Sequence, residues 1–258
     1  MRVTVLGSSA SYAAPSQACS GYLVEGADSA VVLDCGNGCL ANLARFIDPT
    51  RLGAVFISHA HPDHFVDLYA LQALLRYAPG GSAPPLPLHL PRGLFERMGG
   101  LLSEKGRREL AEAFLVHDLE EDRMVRVGDL AISPRRVDHH DPTFAFRVAD
   151  GEVTFAYGAD AANTPSLLRV LADAHFALVE ATLPQRYADA APHLTAAQAG
   201  AAAREAGVHT LALTHIWPTN DRQASAREAV EAFGGPVHLA CELDRFTIDR
   251  EDTRLERA

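Results

Sequence analysis

The feature that most constrains this chain is a run of three histidines and one aspartate within six residues. His59, His61, Asp63 and His64 come directly after Leu52–Ile57, an apolar run that predicts a buried strand. Because a buried strand ends in a fixed direction, the segment that follows it presents its side chains with little freedom. Imidazole and carboxylate donors in this pattern indicate a metal site for zinc, or else for manganese or iron.

Three further places in the second half of the chain carry side chains that can bind metal. His139 with its neighbour His140, Asp160, and His215 each come just after an apolar segment that predicts a strand. If two sheets face each other, these strand ends converge on one edge. About seven ligands would then be available, enough for two metals that share a carboxylate, hold a bridging hydroxide as nucleophile and stabilise an oxyanion.

Alternating strand and helix patterns predict two sheets packed face to face with helices outside, in a single domain from residue 1 to 258. The predicted strands are Arg2–Leu6, Gly21–Glu25, Ala30–Asp34, Leu52–Ile57, Leu86–Leu90, Met124–Val127, Leu130–Arg136, Thr143–Val148, Val153–Tyr157, Phe176–Glu180, Thr210–Thr214, Val237–Ala240 and Arg245–Ile248. The predicted helices include Leu68–Tyr77, Arg92–Phe114 with a break near Gly106, Thr164–Leu171, one that begins at a Thr195–Gln198 capping box, and Asp221–Phe233.

Composition limits the cellular compartment and the classes of binding partner that are expected for this chain. The formal net charge is -10, which disfavours long nucleic acid because that binding depends on Lys and Arg at phosphates. A small anionic substrate is still compatible, since bound metal would invert the local charge. The four cysteines lack the spacing of a structural zinc site and indicate free thiols in a reducing compartment. With no apolar run of membrane-spanning length and no signal-peptide pattern, we expect a cytoplasmic protein without membrane contact.

Taken together, these motifs resemble the metallo-β-lactamase superfamily, on the branch of ribonuclease Z and related phosphodiesterases. The resemblance runs over nearly the whole length and rests on Leu33–Gly38, Ser58–His64, His139 with Phe144, Tyr157–Asp160, Val179–Thr182, His193–Ala196 and Leu213–His215. It implies an α/β fold of the αββα type, in which two facing mixed sheets are flanked by helices. It also implies a dinuclear centre of divalent ions, usually zinc.

Carried over residue by residue, the resemblance assigns every ligand. One metal would take His59, His61 and His139, the other would take Asp63, His64 and His215, and Asp160 would bridge them. His139 is preferred because its spacing to Phe144 fits the family, and His140 is the alternative. His209 and His238 are interpreted as structural.

Four acidic or basic residues are assigned roles beside the metals, in one case in addition to ligation. Glu180 and His193 match a carboxylate–histidine pair, and a His polarised by a Glu can deliver the proton that an alkoxide leaving group needs. Asp63 is expected to act in catalysis as well as in ligation. Asp34, at a strand end, either orients a neighbouring ligand or caps the following turn.

The chain also departs from its relatives in ways that limit its function. Asp160 follows His139 by 21 positions, which leaves no room for the arm with which bacterial ribonuclease Z grips transfer RNA. Cys19 alone does not match the cysteine-rich zinc site of another phosphodiesterase branch. His61 stands where the flavodiiron oxygen reductases carry a glutamate.

The expected function is therefore a metal-dependent phosphodiesterase that uses a metal-bridging hydroxide on a small or cyclic phosphodiester. The alternatives are hydrolysis of another ester (a lactone, thioester or sulfate ester), ribonuclease Z-type RNA processing, or metal and small-molecule binding without catalysis. Specificity is expected in the Ser9–Gln17 and Ala78–Pro85 loops. The resemblance, in which dimers are common, also implies a homodimer.

Overall fold

Two mixed β-sheets face each other across an apolar core, and helices cover their outer faces. The computed structural model describes residues 1–77 and 81–257. Side chains from both sheets, such as Val31, Phe56, Phe146 and Phe176, are fully buried in the core between them. The predicted αββα architecture is confirmed.

Strand order explains how distant parts of the sequence meet. The strands are β1 (Arg2–Gly7), β2 (Gly21–Glu25), β3 (Ala30–Cys35), β4 (Ala54–Phe56), β5 (Leu86–Leu90), β6 (Phe114–Asp118), β7 (Val125–Val127), β8 (Leu130–Val137), β9 (Thr143–Ala149), β10 (Thr154–Tyr157), β11 (Phe176–Glu180), β12 (Thr210–Thr214), β13 (Val237–Leu239), β14 (Arg245–Ile248) and β15 (Thr253–Glu256). In the described residues, one sheet has the order β15-β14-β1-β2-β3-β4-β5-β6 and the other β13-β12-β11-β10-β9-β8-β7.

Parallel pairing sends several strand ends to the same edge. The pairs β3–β4, β10–β11 and β11–β12 are all parallel. Because the carboxyl ends of neighbouring parallel strands lie side by side, the segments after them cluster at that edge. Backbone turns there are sharp: Asp34, Ala159 and His215 have left-handed φ values of 58°, 52° and 46°. Such values are uncommon outside glycine and often mark functional sites.

The helices are α1 (Cys39–Leu43), α2 (Pro62–Phe65), α3 (Leu68–Tyr77), α4 (Leu94–Gly99), α5 (Glu104–Ala113), α6 (Pro165–Leu171), α7 (Ala196–Glu205) and α8 (Arg222–Phe233). The capping box that starts α7 is confirmed, because the side chains and backbone amides of Thr195 and Gln198 bond reciprocally. Among the described helices, none combines the length and apolar character that a membrane span requires.

Most predicted elements are confirmed to within about two residues at their ends, the usual uncertainty of a helix or strand boundary. The predicted helix break near Gly106 is wrong. The chain leaves α4 after Gly99 and restarts at Ser103, whose side chain caps α5 by accepting from the Gly106 amide. Gly106 therefore lies in the first turn of α5. Residues 78–80 of the loop at Ala78–Pro85 lie outside the described residues.

Candidate metal centre

Side chains from both sheets meet at one edge of the sandwich and form two separate donor groups, with a third set, Asp160, His193 and His215, that overlaps both. In each group, the donor atoms lie within 4.8 Å of one another. The first donor group is His59, His61, His139 and Asp160, and the second is Asp63, His64 and His215. The structure thus brings together all seven residues that the sequence suggested as metal ligands.

Within each group, short distances between the donor atoms show that the side chains converge on a common point. His61 Nδ1 lies 2.9 Å from His59 Nε2 and 3.4 Å from His139 Nε2. In the second group, His215 Nε2 lies 3.2 Å from His64 Nε2 and 3.3 Å from Asp63 Oδ2.

Asp160 lies between the two groups and turns a different oxygen to each. Its Oδ2 is 3.7 Å from His59 Nε2 and its Oδ1 is 3.4 Å from His64 Nε2. Oδ1 is buried and accepts no hydrogen bond from any described residue. Since a buried carboxylate oxygen without a partner is costly, this atom suits a bound cation.

Hydrogen bonds outside the groups decide which ring nitrogen faces inward. Ser58 Oγ donates to Asp34 Oδ2 and so must accept from His59 Nδ1, at 2.9 Å. Asp34 Oδ2 also accepts from His64 Nδ1, at 2.8 Å. Both rings therefore present Nε2 to the centre, and Asp34 orients a predicted ligand, the first of the two roles considered for it.

The rings from the second sheet are held in the same way. His139 Nδ1 donates to the carbonyl oxygen of Pro192 at 3.0 Å. Thr182 Oγ1 donates to the His215 carbonyl at 3.0 Å and accepts from His215 Nδ1 at 2.8 Å. Because each Nδ1 proton is used outside the centre, each Nε2 faces inward, where it can bind a metal ion or, without one, carry a proton.

Lone pairs that face each other at about hydrogen-bond distance repel unless a proton or a cation lies between them. The donor set of imidazole nitrogens and carboxylate oxygens fits zinc, manganese or iron. The His/Asp cluster is therefore suited to bind divalent metal.

Charge at the centre is compatible with this conclusion. Burial lowers the pKa of His59 well below its usual value. At His64, burial is outweighed by the carboxylates of Asp160 and Asp34, which raise the pKa. At Asp63, burial is outweighed by the His215 hydrogen bond and the His64 charge, which hold the pKa well below its usual range. Carboxylates that attract a proton to His64 also attract a metal ion, which competes for the same lone pair.

The Glu180–His193 pair lies beside the donor groups. His193 Nδ1 is 2.8 Å from Glu180 Oε1 and 4.0 Å from Asp160 Oδ2. Burial disfavours the charged ring, but the Glu180 carboxylate outweighs it and raises the pKa of His193 to about 9. Glu180 is itself fixed by the backbone amides of Ala161 and Thr182. The ring is 16% exposed, so it can reach a bound substrate.

Other histidines do not join the centre. His140 is exposed and belongs to neither donor group, whereas His139 belongs to the first. His209 lies 5.1 Å from the ring of His175, and His238 packs on Phe246 at 5.7 Å.

The sequence did not single out Ser58 or Thr182 as the partners that orient rings. Their places in the sequence could have indicated this role, because Ser58 directly precedes His59 and Thr182 lies two residues after Glu180.

Comparison with known proteins identifies the family. Residues 29–216 match the family described as "Beta-lactamase superfamily domain". The chain belongs to the metallo-β-lactamase superfamily. One relative of this chain is Rv1339 of Mycobacterium tuberculosis. It is 34% identical over 257 residues, which cover 97% of this chain and 93% of the relative.

Two further relatives refine the likeness. The metallo-hydrolase YhfI of Bacillus subtilis is 29% identical over 93% of this chain and 97% of its own. Its crystal structure superposes with a TM-score of 0.84 and 26% identity, covering 95% of this chain and 97% of YhfI. A ribonuclease Z of Kineococcus radiotolerans is 29% identical over 87% of this chain and 88% of its own. The metallo-β-lactamase fold and the ribonuclease Z-like resemblance are confirmed.

Proposed function

We propose that this protein is a dinuclear metal-dependent hydrolase that acts as a phosphodiesterase on a small or cyclic phosphodiester. The observation that carries the proposal is the placement of Asp160 between the two donor groups, with its two oxygens 3.7 Å and 3.4 Å from a histidine of each. The hydrolase names of two relatives, metallo-hydrolase and ribonuclease Z, support the same chemistry.

The proposed ligands are the seven residues of the two groups, with Asp160 shared. Divalent cations bound there would supply activated water and stabilise negative charge on substrate oxygens. Asp63, next to His215 Nε2 at 3.3 Å, is also proposed to accept a hydrogen bond from the attacking water and so to orient it.

His193 is proposed to protonate the leaving alkoxide. Its Nδ1 donates to Glu180, which leaves Nε2–H of the charged ring free to act as the general acid. Glu180 holds the ring in place and stabilises its positive charge. A buried carboxylate that is fixed by two amides performs that role without moving.

A small substrate suits this chain better than a long RNA. The segment between His139 and Asp160 is filled by β9 and β10 and the turns around them. The net charge of -10 also disfavours a polyanion.

Hydrolysis of a carboxylic ester is the second candidate, because the charges around the centre suit it as well as they suit a diester. Within the described residues, Asp63, Asp160 and Glu180 form ion pairs with histidines and with no Lys or Arg. A neutral ester or a singly charged diester needs no such cation, whereas a phosphate monoester carries more negative charge. The two candidates therefore share a substrate of low charge.

A panel of nitrophenyl esters separates these candidates. Metal-loaded protein is expected to hydrolyse bis-nitrophenyl phosphate, and chelation should abolish that turnover until metal is restored. Asp160→Asn should be inactive, while the control Asp129→Asn should keep the wild-type rate, because that carboxylate accepts from the Ala27–Ser29 turn and, among the described residues, from no other. Turnover of nitrophenyl acetate alone would favour the second candidate, and no turnover of either ester would contradict catalysis.

A further inference from the structure

A short segment at the rim of the site is connected to the carboxylate of Asp63. Ser11 donates its backbone N–H to Asp63 Oδ2 at 2.7 Å. Oδ2 is the same oxygen that lies 3.3 Å from His215 Nε2 in the second donor group. The Ser11 amide thus touches a proposed ligand atom directly.

Ser11 reaches this position through an unusual backbone conformation. Its φ is 63°, in the left-handed region that a serine seldom adopts. Strained residues of this kind persist only where neighbouring contacts hold them, and they cluster at functional sites. The contacts that hold Ser11 are therefore informative.

Those contacts come from the residues directly after His215. Trp217 Nε1 donates to Ser11 Oγ at 3.0 Å. The backbones of the two segments are also bonded, because the Ile216 amide donates to the Ser8 carbonyl and the Ala10 amide to the Ile216 carbonyl. A chain of contacts thus runs from Trp217 through Ser11 to Asp63.

We propose that Ser11 is a positioning residue for Asp63 and that Trp217 holds it in place. The positions of the rim segment, residues 8–12, and of the second donor group are then coupled, so that ordering one orders the other. Tyr12, which is 50% exposed on this rim, is bonded to the same segment, because its carbonyl accepts from Ser9 Oγ and its amide donates to the Ala10 carbonyl. The proposal rests on the proposed function only in that the second donor group binds metal.

Trp217 provides the readout, because it is the single tryptophan of the chain. Zn²⁺ is a suitable probe since it is a d¹⁰ ion without redox activity, so an emission change reports the surroundings of the indole. Folded protein, freed of metal with a chelator, would be titrated with Zn²⁺. Tryptophan emission and calorimetric binding would be recorded in parallel. The wild type is expected to show a saturable emission change that follows one of the calorimetric binding steps.

Ser11→Ala keeps the amide but removes the hydroxyl that Trp217 uses. It should lose most of the emission change and weaken one zinc step about three- to tenfold, the range for one lost hydrogen bond. Ser16→Ala is the matched control, because Ser16 lies on the same loop, is exposed and also has a left-handed φ of 61°. It should behave as the wild type does. Trp217→Phe, followed by calorimetry alone, should weaken the same step.

Two results would overturn this proposal and leave the proposed function intact. One is a wild type that binds two equivalents of zinc with unchanged emission. The other is a Ser11→Ala variant that binds zinc as Ser16→Ala does. A wild type that binds no zinc at all would overturn the proposed function along with it, so the two failures are distinguishable.

Discussion

Thr182 holds both ends of His215 with one hydroxyl group. It accepts from the ring at Nδ1 and donates to the carbonyl of the same residue, at 2.8 Å and 3.0 Å. Because His215 has a left-handed φ of 46°, the second bond also stabilises a strained backbone at the end of β12. The threonine fixes both the tautomer and the position of a proposed ligand.

Thr182→Val should therefore weaken metal binding about 10- to 100-fold, the usual effect of losing a partner that orients a ligand. Thr182→Ser, which keeps the hydroxyl, should retain most of the affinity. Thr4→Val is the control, because Thr4 is fully buried and its hydroxyl has no partner among the described residues. Competition with a chromophoric chelator measures the affinity, and equal losses in the Val and Ser variants would contradict the positioning role.

His193 should matter in proportion to how poor the leaving group is. An alkoxide needs a proton to leave whereas nitrophenolate does not, and general acid catalysis is worth about 10²- to 10⁴-fold. His193→Ala should therefore lose most of that factor on an alkyl phosphodiester and much less on bis-nitrophenyl phosphate.

Glu180→Gln should show the same pattern more weakly, since it removes the charge that polarises the ring but leaves the imidazole. Steady-state rates on both substrates provide the comparison. Equal losses on both would mean that His193 orients substrate or supports the entry to α7.

At the scale of elements, the sequence predicted what depends on local pattern and missed what depends on neighbours. Strand β4 and the histidines after it were predictable because an apolar run and a dense donor motif adjoin. The partner of His139 was not, since the Pro192 carbonyl reaches that ring only through tertiary packing. The strands β6 and β15 were missed because their exposed positions lack the apolar alternation of a core strand.

The junction after β3 supports the histidine segment through close packing. A Cβ added at Gly36 would lie 2.0 Å from the carbonyl oxygen of Asp63, too close for either backbone to stay in place. Gly36→Ala should therefore destabilise the fold by about 1–3 kcal/mol, as overpacking does. Because the displaced residue is a proposed ligand, metal affinity should fall as well.

Gly99→Ala is the matched control for that variant. A Cβ there would meet its nearest neighbour, Arg107, at 3.5 Å, which is ordinary contact. It should leave both the melting temperature and the metal affinity near wild type. Calorimetric melting and a chelator competition measure the two quantities. A Gly36→Ala variant with unchanged metal affinity would mean that the packing at this junction does not position Asp63 for metal binding.

Across the whole molecule, the candidate centre joins the two sheets. His59, His61, Asp63 and His64 follow β4 of one sheet, whereas His139, Asp160 and His215 follow β8, β10 and β12 of the other. Metal bound at both donor groups would therefore link the two sheets at this edge. Both of the proposed ions need ligands from each sheet, so neither site exists in the unfolded chain.

A ligand that binds only the folded state stabilises it by mass action, by about 2.7 kcal/mol at 100 times its Kd. For a chain of this size, we expect each occupied site to raise Tm by about 5–10 °C, given a shift of about 2–4 °C per kcal/mol. Scanning calorimetry of chelated and zinc-loaded protein measures the difference. Asp160→Ala removes the carboxylate that is proposed to be shared by both metal ions and should lose much of the zinc-dependent increase. An Asp160→Ala variant with the full increase would mean that the two groups bind metal independently and that Asp160 does not bridge them.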